Sequence, residues 1–314
     1  MTQLAQVAVA AGYGGPGVVK IVSEQTRPLA DGEVLLDVRA IGVNPVDAKA
    51  YSGIFGTDEA NLPIHLGAEA AGVVLEVGPG VSAVAVGDEV IAYPASGAYT
   101  SKLVVPESSL TPKPAELGWA EASGLMLAGA TAVHTLTAAG VGADDTVLIH
   151  GASGGVGLFA VQLAVARGAT VIGTASVGAH DLLTSLGVTP VVYGEGLADR
   201  VRDLAPGGVD AAIDTVGTDE AVETSLELVA DRSRIATIAA FGRAVKDGIK
   251  LLGVGPGADP GADIRGPARA ELAELAGSGK LTVFVAATYP LTEVASAHVA
   301  QVGSHAPGKI VLIP

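Results

Sequence analysis

An α/β protein is predicted from this sequence, with a doubly wound parallel sheet in the middle of the chain and a second, β-rich domain that the sheet interrupts. Three observations carry that reading. Short β-rich runs fill the stretch from Val34 to Lys113, strands and helices alternate from Thr146 to about Val254, and 314 residues exceed the size at which one hydrophobic core usually stops growing.

The first part, residues 1–118, holds the runs VLLDV, AGVVLEVG, DEVIAYPA and KLVVP, separated by Gly, Pro and Asp punctuation and without a long helical period. A small β-barrel or sandwich is expected there. From Trp119 the texture becomes Ala- and Leu-rich and helical, which sets a boundary near Gly118. The second domain, residues 119–257, opens its sheet with TVLIH at Thr146–His150. Strand-like runs recur at TVIGT, PVVY, DAAID, RIATIA and IKLLGV, with helical segments between the first five. The stretch GPGADPG at 255–261 reads as a linker. The remainder, residues 258–314, offers a helix at roughly Ala268–Ala276, a strand in LTVFVAATYP, a second helix and a last strand KIVLIP. These are too few to form a core alone, so they are expected to return to the first domain and make it discontinuous.

Composition narrows the function. The chain is 49% hydrophobic and 16% charged, yet every apolar stretch is interrupted before the ~18 residues that would span a bilayer. The first residues, MTQLAQVAVAAGYGG, lack a basic n-region and a long apolar h-region, so a cytoplasmic protein without a secretory signal is expected. A net charge of -15 disfavours nucleic acid and anionic membranes as partners and favours a small molecule. With no cysteine, no disulfide and no thiolate zinc site can form.

The segment TVLIHGASGGVGLFAVQLAVARGATVIGTAS places a buried strand, a Gly-dense turn, an apolar helix and a second strand within the ~30 residues of a βαβ unit. Ser153, Gly154, Gly155, Val156 and Gly157 are the candidate cofactor cradle. Gly154 and Gly155 have no Cβ to keep a pyrophosphate away, the N–H groups near Val156 open a helix towards it, and Gly157 lets that helix pack on the strand. Ala152 stands where the usual pattern has its first glycine, so the fingerprint is a variant. Val216 and the segment Ala239–Phe241, including Ala240, follow the fourth and fifth strands at the carboxyl edge where ligands bind in such sheets. Phe241 is read equally as a pocket wall or as core packing.

These and further segments resemble the medium-chain dehydrogenase/reductase superfamily, and within it the zinc-free quinone oxidoreductase branch that includes zeta-crystallin. The resemblance runs through AIGVNPVDAK (40–49), LGAEAAGVVLEVG (66–78), VGDEVIA (86–92), GAYTSKLVVP (97–106), LAGATAVHTL (127–136), DTVG (214–217) and GKIVLIP (308–314). It implies a GroES-like β-barrel catalytic domain around a Rossmann domain, with the nicotinamide in the cleft between them. Zinc-dependent members carry cysteine where Asn44 stands and histidine where Ala68 stands, so no metal is expected. His65 is read as a polar loop residue and Glu69 as a hydrogen-bonded structural acid.

The resemblance further implies that Asn44 and Thr131 contact the nicotinamide. Asn44, a backbone N–H or water is the candidate donor to the oxygen that becomes negative on hydride addition, so Asn44 is also the one catalytic candidate. Where some members carry tyrosines this chain has Lys49 and Phe55; Tyr51 and Tyr99 are read as structural, and no general acid is assigned.

NADPH is the expected cofactor, because no Asp or Glu occurs from Gly168 to His180 to hold a ribose 2′-hydroxyl or repel a 2′-phosphate. No Lys or Arg lies between Arg167 and Arg200 either, so Ser176, His180 and Tyr193 are the candidates on the adenosine side; in the family a tyrosine often stands at the last of these. The implied function is NADPH-dependent hydride transfer to a quinone or an α,β-unsaturated carbonyl compound. A trans-acting enoyl-thioester reductase and a non-catalytic NADPH-binding protein, crystallin-like or RNA-binding, are the alternatives. A homodimer paired through the IKLLGVG edge is expected.

Overall fold

The computed structural model describes residues 2–303 and 306–314. In chain order the first elements are β1 (Leu4–Ala10), β2 (Val19–Gln25), β3 (Glu33–Gly42), α1 (Pro45–Ser52), β4 (Ile64–His65), β5 (Ala70–Val77), β6 (Glu89–Ala92), β7 (Lys102–Pro106), β8 (Leu110–Pro112) and α2 (Trp119–Ser123). Helix α3 (Met126–Ala138) leads into β9 (Thr146–His150), α4 (Gly155–Ala166), β10 (Thr170–Thr174), α5 (His180–Ser185), β11 (Thr189–Val191), α6 (Leu197–Leu204) and β12 (Ala211–Asp214). Then come α7 (Asp219–Leu228), β13 (Ile235–Thr237), α8 (Phe241–Asp247) and β14 (Lys250–Leu251), followed by α9 (Ala262–Gly277), β15 (Val285–Pro290), α10 (Val294–Val302) and β16 (Lys309–Ile313).

The chain divides into two compact units, 1–127 with 269–314 and 128–268. Those divisions fall inside α3 and α9, a few helical turns beyond the expected 118 and 257. The reason at the first is that α2 belongs with the barrel: a Cβ on Gly124 just after it would lie 3.3 Å from Lys309 Cβ of β16.

In the first unit, β3 is the spine. It pairs antiparallel with β5 and with β7, and its far end, at Ile41 and Gly42, pairs with Leu312 and Val311 of β16. The C-terminal strand therefore completes the barrel begun by the N-terminal residues, and the domain is discontinuous. The barrel sheet runs β15-β16-β3-β5-β6-β8, and β2-β1-β4 forms a separate sheet. Ile41, Val43, Leu66, Tyr99, Ala297 and Leu312 are among the buried side chains that fill the interior, drawn from both stretches of the chain.

In the second unit, TVLIH and AAID are near-continuous apolar runs because their strands are covered on both faces, and Val147–His150 and Ala211–Asp214 are buried. All six strands are parallel, in the order β11-β10-β9-β12-β13-β14. Numbered within the domain this is 3-2-1-4-5-6, so the strand order reverses at β9 and its carboxyl end is the topological switch point. The predicted six strands are all present.

The structure corrects several local readings. A helix, α8, lies between the fifth and sixth strands and begins at Phe241. Helix α9 starts at Ala262, six residues early, because Gly266 and Pro267 within its first two turns read as a break. Residues 4–25 form the β1-β2 hairpin, to which no strand had been assigned. His65 lies not in a loop but in β4, where Nε2 sits 2.9 Å from Glu24 Oε2. Among the described residues no helix is long and apolar enough to cross a membrane.

Candidate active site

The nucleotide-binding turn is built by close backbone approach. Gly151 follows β9 with φ +74, and its N–H donates to Thr174 Oγ1 at 3.0 Å, tying the turn to the end of β10. Gly154 is the N-cap of α4, and its N–H closes back on Gly151 O at 3.0 Å. Gly157 is buried one turn into the helix. A Cβ there would overlap Gly151 O and come within 2.9 Å of Ala152 Cα, so only glycine lets α4 start this near the strand. Ser153, Gly154, Gly155 and Val156 stay half-buried and present their backbone at the helix start. Such a start offers free N–H donors and the positive end of the helix dipole to an anion.

Asp214 at the end of β12 organises the next loop. One of its oxygens accepts the N–H groups of Val216 and Gly217, both at 2.9 Å, and the other accepts Thr237 Oγ1 at 2.7 Å. Thr215 Oγ1 donates to His150 O at 2.7 Å, so the loops after β9 and β12 are laced together and Val216 projects half-exposed. His150 is buried at the end of β9, its Nε2 3.1 Å from Ser225 Oγ, and burial pushes it down to about 4. Ala240 is buried and caps α8, and Phe241 is half-buried beside Gly255. Thr131 is buried in α3.

Past β10, Ser176 is exposed and His180 opens α5, with its Nε2 shielded from solvent and without a hydrogen-bond partner among the described residues. Tyr193 stands 56% exposed after β11. Its loop is held by Arg200 of α6, whose guanidinium donates to the carbonyls of Val192, Gly194 and Glu195 at 2.7–3.2 Å. The residues read for the adenosine side thus lie at the ends of adjacent strands.

The first unit holds a second polar constellation, centred on Asn44. It is the N-cap of α1, with Pro45 in the first helical position, and Asp47 Oδ2 accepts its backbone N–H at 2.8 Å. The carboxamide is buried and every donor is engaged: Nδ2 donates to Glu69 Oε1 at 2.9 Å and to Gly42 O at 3.3 Å. Oδ1 accepts from Lys309 Nζ, which also donates to Val43 O at 3.0 Å and Glu69 Oε1 at 3.2 Å. Glu69 Oε2 accepts the N–H of Leu127 at 2.8 Å. Glu69 is therefore the hydrogen-bonded structural acid expected from the sequence. Gly42 is required beside it, because a Cβ would collide with Ser123 O and the Glu69 carboxylate.

Behind Asn44, Asp47 is buried, and loss of hydration pushes its carboxyl up to about 7 against the opposing hydrogen bonds from Asn44 and Tyr99 and the charge of Lys309. Lys309, Asp47 and His298 escaped the sequence reading of the site. Lys309 lies within GKIVLIP, and a lysine opening an otherwise apolar strand is the available signal. Among the described residues, no group of three or more His, Asp or Glu side chains is arranged to hold a metal ion.

Two family descriptions match the chain: an alcohol dehydrogenase GroES-like domain over residues 30–115 and a zinc-binding dehydrogenase domain over residues 155–277. The mouse (Mus musculus) quinone oxidoreductase is 30% identical over 329 residues, covering 96% of this chain and 95% of that protein. A 2-haloacrylate reductase from Burkholderia sp is 36% identical over 308 residues, covering 90% and 91%. A synaptic vesicle membrane protein VAT-1 homolog from Rattus norvegicus is 36% identical over 215 residues, 67% of this chain, and the match spans about half (53%) of that relative's length. The crystal structure of the Escherichia coli quinone oxidoreductase complexed with NADPH superposes with a TM-score of 0.85 at 28% identity, covering 98% of this chain and 100% of that one.

Proposed function

The chain belongs to the medium-chain dehydrogenase/reductase superfamily, in its quinone oxidoreductase branch, and from that premise we propose that it is an NADPH-dependent reductase of quinones or α,β-unsaturated carbonyl compounds. The observation that carries the cofactor assignment is the turn from Gly151 to Gly157, where backbone approach leaves room for a pyrophosphate at the start of α4. His180, which opens α5 just past β10, is assigned to the 2′-phosphate side of the same nucleotide, where its ring offers a hydrogen-bond donor once turned towards the ligand. Ser176 supplies a hydroxyl beside it, and Tyr193, on the loop that Arg200 ties down, offers a ring for the adenosine side.

When bound, NADPH supplies a hydride from C4 of its nicotinamide. Ser153, Gly154, Gly155 and Val156 are assigned to the pyrophosphate, Gly157 to helix packing, and Val216, Ala240 and Phe241 to the wall at the carboxyl edge of the sheet. Asn44 and Thr131 are assigned to the nicotinamide. Because both amide hydrogens of Asn44 are committed to Glu69 and Gly42, its role is to orient rather than to donate. The donor to the developing oxyanion is then a backbone N–H or a water molecule. The names of the quinone oxidoreductase and 2-haloacrylate reductase relatives support the substrate class. We further propose a homodimer paired through β14, the last strand of the six-stranded sheet, beyond which Asp259 makes a single bridge to Leu252.

The test is NADPH consumption with a quinone, an alkenal and an enoyl thioester, run beside gel-shift binding to RNA. Saturable turnover of the quinone or alkenal is expected; turnover of the thioester alone would transfer the assignment to enoyl-thioester reduction.

A further inference from the structure

Helix α1 turns two polar side chains, Asp47 and Tyr51, into the barrel interior, where an amphipathic helix ordinarily places apolar ones. Both are buried, and both are answered by partners far away in sequence. His298, fully buried on α10, lies with its ring stacked 5.7 Å from that of Tyr51 and tilted 5.6 Å from that of Tyr99. Its Nδ1 is 2.6 Å from Tyr51 Oη, and its Nε2 is 3.0 Å from Tyr99 Oη. Tyr99 Oη in turn donates to Asp47 Oδ2 at 2.9 Å, the same oxygen that accepts the Asn44 N–H at 2.8 Å.

Hydrogen counting gives this chain a direction. When Asp47 is ionised, Tyr99 spends its only hydroxyl hydrogen on it, so towards His298 it has lone pairs alone, and Nε2 must carry the ring hydrogen. Burial pushes His298 down to about 4, so at neutral pH the ring holds one proton and Nδ1 is bare. The bare Nδ1 must accept, and Tyr51 has a hydroxyl to donate. Burial likewise pushes Tyr51 up to about 12 and Tyr99 well above its usual value, so both keep their hydrogens. The other charged groups that bear on Asp47 are Lys309 of β16, which favours its ionised form, and Glu69, which opposes it.

We propose that His298 is a positioning residue for Asn44: held as the Nε2–H tautomer, it closes a one-way hydrogen-bond chain, Tyr51 to His298 to Tyr99 to Asp47, that locks the first turn of α1 and the Asn44 backbone. This rests on the assignment of Asn44 to the nicotinamide. Each end of α1 is thereby gripped from α10, Asp47 through Tyr99 near its start and Tyr51 directly near its end. Without the ring, Tyr99 loses its donor and Tyr51 its acceptor, and a shift of the N-cap moves Asn44 with it.

The test uses the full chain. In the wild type, nitrogen-15 spectroscopy of the histidine rings is expected to show His298 with a bare Nδ1 and a protonated Nε2 at about pH 8.5, where Asp47 is ionised; the opposite tautomer or a doubly protonated ring there would overturn the proposal. In kinetics, His298→Phe is expected to lower kcat roughly ten-fold or more while KM for NADPH moves less than about three-fold, because the orientation of reacting groups is lost and not the nucleotide cradle. His298→Gln, whose amide nitrogen can replace the Nε2 donor, is expected to recover most of kcat; if the phenylalanine variant fails to fold, Tyr99→Phe, which cuts the chain between His298 and Asp47, decides the matter and is expected to lower kcat in the same way. Asn44→Ala is the reference. If it leaves kcat unchanged, the nicotinamide assignment fails; if it lowers kcat while a folded His298→Phe or Tyr99→Phe variant keeps its own, that assignment stands and the role of His298 is refuted.

Discussion

Lys309 Nζ donates a hydrogen bond to Asn44 Oδ1 across 265 residues of sequence, joining the last strand of the barrel to the N-cap of its first helix. Three donors on that ammonium meet three acceptors, Val43 O, Asn44 Oδ1 and Glu69 Oε1, which is the condition under which a buried lysine is tolerated. The contact also decides which end of the Asn44 amide is oxygen, since an ammonium cannot accept a hydrogen bond.

Lys309→Met is therefore expected to destabilise the chain by about 3–5 kcal/mol, the usual consequence of leaving a buried carboxylate without its cation. Urea unfolding measures it. Adding Glu69→Gln to that variant is expected to return part of the loss, and a single variant as stable as wild type would show that Glu69 does not depend on Lys309.

The pH dependence of stability is expected to carry the mark of Asp47. Burial holds its carboxyl near 7 when folded, against about 4 when unfolded, so the folded state binds the extra proton between those values and stability is lost through this group as pH rises across the window. Asp47→Asn removes that loss. The stability of the variant relative to wild type should climb from about pH 4 to about pH 7, by at most about 1.4 kcal/mol per pH unit, and level off above. His150 and His298, which burial holds near 4, act in the opposite sense in both proteins, and their effect cancels in the comparison. A difference that is flat or falling with pH would contradict the assignment.

Gly154 and Gly157 are expected to separate binding from folding. Gly154 has an ordinary extended conformation and only Gly151 O, at 3.3 Å, near a would-be Cβ, so Gly154→Val should fold and bind NADPH at least about ten-fold more weakly. Gly157 faces backbone, which cannot move aside as a side chain can. Gly157→Val should lower stability by about 2 kcal/mol or more. Fluorescence titration and thermal unfolding distinguish the two, and unchanged affinity in the folded Gly154 variant would mean that this turn is not the phosphate cradle.

How far the sequence carries depends on how local each signal is. The six strands of the parallel sheet, the Gly-dense turn and the return of the tail to the barrel are written in contiguous runs of residues, and they were legible. Helix α9 was shortened because Gly266 and Pro267 sit inside it, where the local rule says stop and packing says continue. The β1-β2 hairpin is not legible because the eight residues AGYGGPGV separate its strands, in place of the two-residue turn that marks a hairpin. The roles of Lys309 and His298 are not legible beyond the oddity of a lysine opening an apolar strand, since their partners Asn44 and Tyr51 lie 265 and 247 residues away and only the closed barrel brings them together.

Selection of NADPH over NADH is expected to be modest, resting on Ser176, His180 and Tyr193 without an arginine or lysine on that stretch of chain. The ratio of kcat/KM for the two nucleotides should exceed one in wild type. It should fall towards one in Ser176→Ala and His180→Ala, while Tyr193→Phe, which keeps the ring, should change it least. A wild type that prefers NADH would overturn the adenosine-side assignment.

The central claim, metal-independent hydride transfer from NADPH to a quinone or an activated alkene, is tested most directly by following NADPH absorbance with a quinone and with an alkenal before and after exhaustive chelation. The account predicts saturable oxidation of NADPH in one-to-one proportion to the reduced product, at a rate that chelation leaves unchanged. Activity that disappears with a chelated metal and returns on adding zinc, or a folded protein that binds NADPH yet reduces neither substrate, would contradict it.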